Sequence, residues 1–161
     1  KNGGVVMVTF VPAFLSNEVA QYEEREEEES KRITMEVADT AEVRRRMEAW
    51  TAANPRPQAT LAQVADHIGH VREVAGVDHV GLGSDFDGIS HVPVGLEDVS
   101  SFPRLFAELI RRGWSDDDLR KLAGRNLLRV KRAAEGTAER LRKERQPSTM
   151  TIGPVAQPMS P

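Results

Sequence analysis

The sequence predicts an α/β fold built on a parallel sheet. Two short apolar runs, "GGVVMVTF" at residues 3–10 and "HVGLGSD" at residues 79–85, lack the strict alternation of a half-exposed strand and are typical of strands covered on both faces. The segment between them is rich in helix formers, and further helices with start signals follow the second run. A strand, a helical connection and a second strand indicate a βαβ crossover, which pairs the two strands in parallel.

The composition is that of one globular domain and excludes several classes of function. The chain has 161 residues and a formal net charge of −3, which gives no indication of a nucleic-acid or membrane-surface partner. It has no cysteine, so disulfides and thiolate metal sites are excluded. No apolar run approaches the roughly 20 residues that span a bilayer. Because the chain opens on Lys1 just before an apolar strand, we expect the natural N-terminus to lie upstream, and the cellular compartment stays undetermined.

A densely charged segment, residues 16–57, follows the first strand. It has no glycine, and no proline before Pro55, and it predicts one or two long, mostly solvated helices. Its acidic run "EEREEEES", residues 23–30, is interpreted as a solvated helix face rather than a partner-binding or cation-binding patch.

The clearest helix begins after Thr60. Thr60 and Gln63 have the spacing of a capping box, and Gly76 provides a stop signal. Apolar residues recur at intervals of three and four, which lays one stripe against a core. This stripe consists of Leu61, Val64, Ala65, Ile68, Val71 and Ala75.

Further helices are predicted beyond the second strand. Ser101 is the expected N-cap of the first, which ends at Gly113. Ser115 and Asp118 have the spacing of a second capping box, which starts the next helix.

The last predicted helix, residues 125–146, is basic. Over residues 125–145 it carries eight Lys or Arg against three Glu, but no aromatic residue is interleaved for base stacking, so we expect no nucleic-acid partner. Residues 136–161 comprise the end of this helix and a tail rich in Pro, Ser and Thr, which we expect to be disordered.

The four histidines do not have the spacing of a metal site. His67 and His70 are three residues apart, whereas a helical zinc pair needs a spacing of four and an adjacent glutamate. His79 and His91 have no partner at ligand spacing and are interpreted as surface histidines.

The glycines of "GLGSDFDG", residues 81–88, fit no familiar binding loop. The third glycine of a dinucleotide fingerprint would fall at Phe86, and no Gly-Lys-Ser/Thr follows for a phosphate loop. A calcium loop needs its glycine at the sixth position, whereas Gly88 would be the fourth residue of a loop that starts at Asp85.

The position of Asp85 makes it the leading candidate for function. It follows the second strand, and parallel α/β barrels form their active sites at the carboxyl ends of their strands. Turn chemistry is the structural alternative, and Asp87 with Gly88 satisfies it more directly than Asp85 does. Position alone leaves both a functional role and a turn role open for Asp85.

Three blocks of sequence carry a family resemblance: "NGGVVMVTF", "TLAQVADHIGHVREVAGVDHVGLGSDFDGI" and "VPVGLEDVSSFPRLFAELIRRGWSDDDLRKLAGRNLLRV". In this order, over most of residues 2–132, they resemble the C-terminal part of the renal or membrane dipeptidase family, within the amidohydrolase-like metal hydrolases. The resemblance implies the C-terminal portion of a (β/α)₈ TIM-type barrel, with residues 4–10 and 79–84 as strands 7 and 8. It implies a barrel domain over residues 1–135, interrupted by the charged residues 16–57 as a helical insertion.

The resemblance also implies an activity and a cofactor. The full-length enzyme would hydrolyse dipeptides with two zinc ions bridged by a hydroxide, which attacks the peptide carbonyl. Asp85 matches the family's acid at the end of the last strand, which contacts substrate and is thought to assist protonation of the leaving amine. Asp85 is therefore the implied catalytic and substrate-binding residue, while Asp87 and Gly88 are assigned a supporting or turn role.

The family's zinc ligands and its other substrate-binding residues have no counterpart among these residues. None of the four histidines matches a family ligand, and a complete barrel needs about 250 residues. We therefore expect an incomplete portion of the enzyme, with no metal ligand of its own, which by itself binds no zinc and is inactive. The sequence leaves the dipeptide preference and a homodimer open.

Two other readings stay open. One is a barrel enzyme that binds phosphate at the loops after its last strands, although Asp85 and Asp87 would repel an anion there. The other is a non-catalytic interaction module formed by the charged helices.

Overall fold

A computed structural model describes residues 2–148 and Met150. Most of the tail that is predicted to be disordered lies outside these residues. Short 3₁₀ turns at Val77–His79 and Val99–Ser101, and a π-helical segment at Lys121–Arg125, join the regular elements. In the described part of the chain these elements are β1 (Val6–Thr9), α1 (Pro12–Leu15), α2 (Asn17–Glu36), α3 (Thr40–Ala53), α4 (Leu61–Ala75), β2 (Val80–Ser84), α5 (Phe102–Arg111), α6 (Asp116–Arg120) and α7 (Asn126–Glu144).

The two strands pair in parallel, which confirms the predicted crossover. Both strands are shorter than the apolar runs that predicted them. Their pairing begins where Val6 lies opposite Val80. The register shifts near the carboxyl end, where Val8 lies opposite Leu82 and Thr9 lies opposite Ser84. Gly83 is thus an extra residue in β2, which forms a β-bulge and changes the direction in which the following residues point.

The hydrophobic core lies where the sheet packs against α4 and α5. The capping box of α4 is confirmed, because the Thr60 hydroxyl accepts a hydrogen bond from the Gln63 amide and the Gln63 side chain accepts one from the Thr60 amide. Of the apolar stripe, Val64, Ala65 and Ile68 are buried, Leu61 and Val71 are half-buried, and Ala75 is exposed at the last turn of α4. The core residues are Val8, Phe10, Leu15, Ala59, Val64, Ala65, Ile68, Val80, Leu96, Leu105, Leu109, Trp114 and Leu122.

α5 begins directly after Ser101, as predicted, but the Ser101 side chain does not cap it. The predicted N-cap, Ser101, already has helical backbone angles and makes no capping hydrogen bond with its side chain. A 3₁₀ turn precedes α5, and the Asp98 carboxylate caps that turn by accepting from the Ser100 amide at 2.8 Å. An acid three residues earlier therefore takes the capping role. The second predicted capping box, between Ser115 and Asp118, is confirmed at the start of α6.

The charged segment forms two long helices, α2 and α3, as predicted. α2 buries Val19, Tyr22 and Ile33, whereas α3 has no fully buried residue. The two helices contact each other through the rings of Tyr22 and Trp50, whose centroids are 5.5 Å apart. Across residues 2–148, none of the helices combines the length and the apolar character that crossing a lipid bilayer requires.

Side chains from α7 hold the amino ends of both strands. The Asn126 side-chain amide is buried and donates to the carbonyls of Val77 and Val80 at 2.7 and 2.8 Å. The Arg129 guanidinium donates to the carbonyls of Gly3 and Asp78 at 2.8 and 2.7 Å. Since these carbonyls lie just before or at the starts of β1 and β2, α7 fixes where the two strands begin.

The Asn126 and Arg129 side chains form a clamp on the amino ends of the strands, and His79 adds to it. Its Nδ1 lies 2.7 Å from the carbonyl oxygen of Gly4, and the side chain is half-buried. The interpretation of His79 as a plain surface histidine was therefore wrong, because the ring connects the residues preceding the two strands.

Replacing Asn126 with Ala tests the clamp. The change leaves the carbonyls of Val77 and Val80 without their buried donor, so we expect the free energy of unfolding to fall by about 2–3 kcal/mol. Urea unfolding followed by circular dichroism measures this loss. As a control, Asn17→Ala, at an exposed position at the start of α2, is expected to change the value by less than about 0.5 kcal/mol. Equal effects of the two substitutions would contradict the clamp.

Candidate active site at the carboxyl edge of the sheet

The carboxyl ends of β1 and β2 meet at one edge of the sheet. Thr9 lies opposite Ser84, and the next amide, that of Phe10, donates to the Ser84 carbonyl at 2.8 Å. Asp85 is the first residue beyond this pairing. Because the two strands are parallel, the segments that follow both of them lie on the same side of the sheet.

The backbone at this edge is strained. Ser84 and Asp85 have φ angles of 52° and 78°, in the left-handed region that residues other than glycine rarely adopt. Such a conformation costs about 1–3 kcal/mol per residue, and it persists only where surrounding contacts enforce it. Two hydrogen bonds contribute, one from the Asp85 amide to the Gly83 carbonyl at 2.8 Å and one from the Gly88 amide to the Asp85 carbonyl at 3.0 Å.

Phe86 anchors the turn in the core. Its ring meets the Phe10 ring edge to face at a centroid distance of 5.6 Å. The centroids of the Phe86 and Phe102 rings are 6.0 Å apart. Phe10 and Phe102 also pack edge to face at 6.0 Å. Each such pair contributes about 0.5–1.5 kcal/mol beyond the burial of area. The three rings therefore join the end of β1, the turn after β2 and the start of α5.

The Asp85 carboxylate lies over Gly88. A Cβ atom at position 88 would come within 2.5 Å of Asp85 Oδ1, so only glycine leaves room for the carboxylate in its present orientation. Gly88 is also the last residue of the turn that begins at Asp85. Asp85 is half-buried, whereas Asp87, between Phe86 and Gly88, is exposed. The functional role of Asp85 and the supporting roles of Asp87 and Gly88 stay predictions.

An open cleft of about 670 Å³ adjoins this turn. It is bordered by residues that follow β1, by residues that follow β2, and by one face of α2. Its lining residues are Val11, Pro12, Glu23, Glu26, Glu27, Ser30, Met47, Arg56, Gly88, Ile89, Ser90 and His91. The charged helical segment thus forms one wall of a cleft at the same edge as Asp85.

Arg56 organises that wall. Its guanidinium pairs with the carboxylates of Glu23 and Glu26, the latter at 3.4 Å, and lies 5.3 Å from the centroid of the Tyr22 ring. Its side chain is only 19% exposed, so these partners screen it from water. Burial, and then the nearby Glu26 carboxylate, raise the pKa of the Tyr22 phenol above its ordinary value.

These contacts correct part of the interpretation of the acidic run. Glu24, Glu27 and Glu28 are exposed, as expected for a solvated face. Glu23 and Glu26 are instead half-buried and paired with Arg56, which lies about 30 residues further along the chain.

A profile of the membrane dipeptidase family, peptidase family M19, matches residues 1–145. The chain belongs to this family. It is 45% identical over 82 residues to dipeptidase 3 of Rattus norvegicus, an alignment that covers 51% of this chain and 17% of the rat protein. The chain therefore spans a small part of the length of this relative.

Two solved structures are similar to the chain, and one of them aligns over most of it. The probable dipeptidase PvdM from Pseudomonas aeruginosa aligns with a TM-score of 0.59 and 28% identity, over 79% of this chain and 36% of its own. A metallo peptidase from Rhodobacter sphaeroides, liganded with a phosphinate mimic of the dipeptide L-Ala-D-Ala, aligns with a TM-score of 0.41 and 37% identity, over 44% of this chain and 20% of its own.

The family implies a metal cofactor, but the described residues do not fit one. Within residues 2–148, no three side chains of the ligand types His, Asp or Glu come together in a way that could hold a metal ion. Of the four histidines, His67 is half-buried on α4, His70 is exposed, His79 contacts Gly4 and His91 lines the cleft.

Three structural features of this edge were not predicted from the sequence. Sequence reasoning assigned no role to Phe86, although an aromatic residue between two acids at the end of a buried strand is a signal for an anchor. It also missed the pairing of Arg56 with the acidic run, for which no local signal exists because α3 lies between them. The left-handed backbone of Ser84 and Asp85 has no sequence signal, since neither residue is glycine.

Replacing Gly88 with Ala tests how the carboxylate is oriented. Because the new methyl group would overlap Asp85 Oδ1, we expect the Asp85 side chain to rotate to another χ1 rotamer, which a crystal structure of the variant would show. Since a short side chain can move at low cost, we expect the thermal unfolding midpoint to change little. Gly136→Ala, at a position on α7 with no atom within 4 Å of the new Cβ, is the matched control and leaves Asp85 in place. An unmoved Asp85 in the Gly88 variant would contradict this role of Gly88.

Proposed function

We propose that this chain is the C-terminal part of a dipeptidase and that it supplies Asp85 to the active site. One observation carries the proposal: an acid with a strained, left-handed backbone stands at the carboxyl end of a parallel strand, in a chain that belongs to the membrane dipeptidase family. In this proposal β1 and β2 are the seventh and eighth strands of a (β/α)₈ barrel, and their carboxyl edge faces the substrate.

The proposed role of Asp85 follows from the chemistry of peptide hydrolysis. When the bond between the carbonyl carbon and the nitrogen breaks, the nitrogen must gain a proton, because an amide anion is a very poor leaving group. A carboxylic acid within hydrogen-bonding reach of that nitrogen can donate the proton, and the resulting carboxylate can then accept a hydrogen bond from the released amine. Asp85 lies at this edge of the sheet with its carboxylate over Gly88, and we propose that it makes this transfer.

We also propose zinc as the metal cofactor of the whole enzyme, held by residues outside this chain. The described residues do not form its site. The role proposed for Asp85 depends only on the proton that it donates.

Replacing Asp85 with Asn in the full-length enzyme tests the assignment. Asparagine keeps the size of the side chain but cannot act as the acid, so we expect kcat for a neutral dipeptide to fall by about 10²–10⁴-fold. The control, Asp87→Asn, changes an exposed acid in the same turn and is expected to alter kcat by less than about threefold. A fall in kcat in the Asp87→Asn variant but not in the Asp85→Asn variant would assign the role of the acid to Asp87 instead.

We further propose that the segment of α2 and α3 shapes access of substrate to the site. The cleft beside Gly88 supports this proposal, because α2 contributes Glu23, Glu26, Glu27 and Ser30 to its lining. Side chains that border the entrance to a site set which substrates fit it.

Deleting residues 18–53 from the full-length enzyme, with a short Gly/Ser linker in their place, tests this role. We expect the ratio of kcat/KM between two dipeptides that differ in side-chain charge to change by about tenfold, while both remain substrates. The control is Arg44→Gln, on α3 outside the cleft lining, which leaves the ratio unchanged. An unchanged ratio in the deletion variant would count against the proposal.

The alternatives have weaker support. Phosphate binding at this edge is disfavoured because Asp85, Asp87 and the cleft residues Glu23, Glu26 and Glu27 are all acidic. A non-catalytic module of charged helices does not explain the strained backbone at Asp85.

A further inference from the structure

We propose that Phe86 is a positioning residue for the reaction: the packing of its ring holds the left-handed backbone of Asp85 and thereby directs the Asp85 carboxylate. This inference rests on the proposed role of Asp85 as the acid. It adds a residue that does not touch the reacting atoms but determines where the acid points.

The first step of the argument is that strain needs a restraint. The φ angles of Ser84 and Asp85 are both in the left-handed region, so the segment would relax if nothing opposed it. The Asp85 amide donates to the carbonyl of Gly83, which belongs to β2, so the sheet holds the amino side of Asp85. The Asp85 carbonyl accepts from Gly88, which lies in the turn itself, so this second bond does not fix the turn relative to the sheet.

The second step is that Phe86 is the part of the turn fixed to the core. Its ring contacts Phe10, a fully buried residue directly after β1, and Phe102, the first residue of α5. Asp87 and Gly88, which complete the turn, are exposed. Phe86 is therefore the residue through which the turn contacts the segment after β1 and the start of α5.

The third step links the ring to the carboxylate. Asp85 and Phe86 are consecutive, so a rotation about the Asp85 backbone that relieves the strain must move either the Phe86 ring or the Asp85 side chain. While the ring stays packed between Phe10 and Phe102, the Asp85 backbone is held, so its Cα–Cβ bond keeps the direction that places the side chain over Gly88. Loosening the ring permits other directions for the carboxylate, which weakens proton transfer more than binding of the substrate.

The test is a double-mutant cycle in the full-length enzyme with a neutral dipeptide. Phe86→Leu removes the ring but keeps an apolar side chain, and we expect kcat to fall by about tenfold or more while KM changes by less than about twofold. In the Asp85→Asn background, the same substitution is expected to change kcat by less than about twofold, because no acid is left to position. A role in stability alone would lower kcat equally in both backgrounds.

Phe106→Leu is the matched control. Phe106 is also a half-buried phenylalanine packed against the core, but it lies on α5 and does not belong to the cluster of three rings formed by Phe10, Phe86 and Phe102. We expect it to lower the thermal unfolding midpoint much as Phe86→Leu does, with kcat retained in both backgrounds. If Phe86→Leu fails to fold, Phe86→Met, which nearly conserves the volume, replaces it in the same cycle.

The possible results separate this inference from the proposed function. No hydrolysis of any dipeptide by the unmodified enzyme would overturn the proposed function itself. A normal rate in Asp85→Asn would overturn the role of Asp85. If Asp85→Asn is slow but Phe86→Leu retains its kcat, or loses the same factor in both backgrounds, the acid is correct and the positioning role of Phe86 is wrong.

Discussion

The candidate site depends on the left-handed backbone of Ser84 and Asp85, held between a β-bulge and an aromatic cluster. The bulge at Gly83 ends the regular pairing and turns the chain, and the packing of Phe86 against Phe10 and Phe102 keeps the turn in place. The strain costs about 1–3 kcal/mol per residue, and each ring pair contributes about 0.5–1.5 kcal/mol, so the opposing effects have similar size. A conformation maintained in this way is typical of functional sites rather than of simple connections.

The two ends of the sheet serve different purposes. At the amino ends, Asn126 and Arg129 of α7 and the ring of His79 bind backbone carbonyls and set where the strands begin. At the carboxyl ends, the chain leaves the sheet in turns and helices that surround a cleft. The side-chain contacts that set where the strands begin are thus at one edge, and the candidate site is at the other, which is the edge where parallel α/β barrels form their active sites. The charged helices lie beside this second edge, and Arg56 contacts α2 through Glu23, Glu26 and Tyr22.

Local chemistry could be predicted from the sequence, and long-range contacts could not. The capping boxes at Thr60 and Ser115 involve residues three apart, and both are present. The parallel pairing followed from the buried character of two apolar runs. The predicted start of α5 after Ser101 is confirmed, but the Ser101 side chain makes no capping hydrogen bond, and the side-chain cap belongs to Asp98 at the 3₁₀ turn just upstream.

The same distinction holds for the candidate site. The position of Asp85 after a buried strand could be read from the sequence, and the role that the family resemblance implies for it stays a prediction. Its left-handed φ angle and the place of its carboxylate over Gly88 depend on contacts with Phe10 and Phe102, which are distant in sequence. The direction of the acid is therefore a property of the tertiary structure, and the motif alone does not contain it.

A crystal structure of the full-length enzyme with a phosphonamidate dipeptide would test the central claim most directly. The P–N bond of this inhibitor keeps the nitrogen of the leaving amine beside a tetrahedral centre. The account predicts a carboxylate oxygen of Asp85 within about 3.2 Å of that nitrogen, with the Asp85 φ angle still positive. A nitrogen bound by another residue, with the Asp85 carboxylate turned away from the ligand, would contradict it.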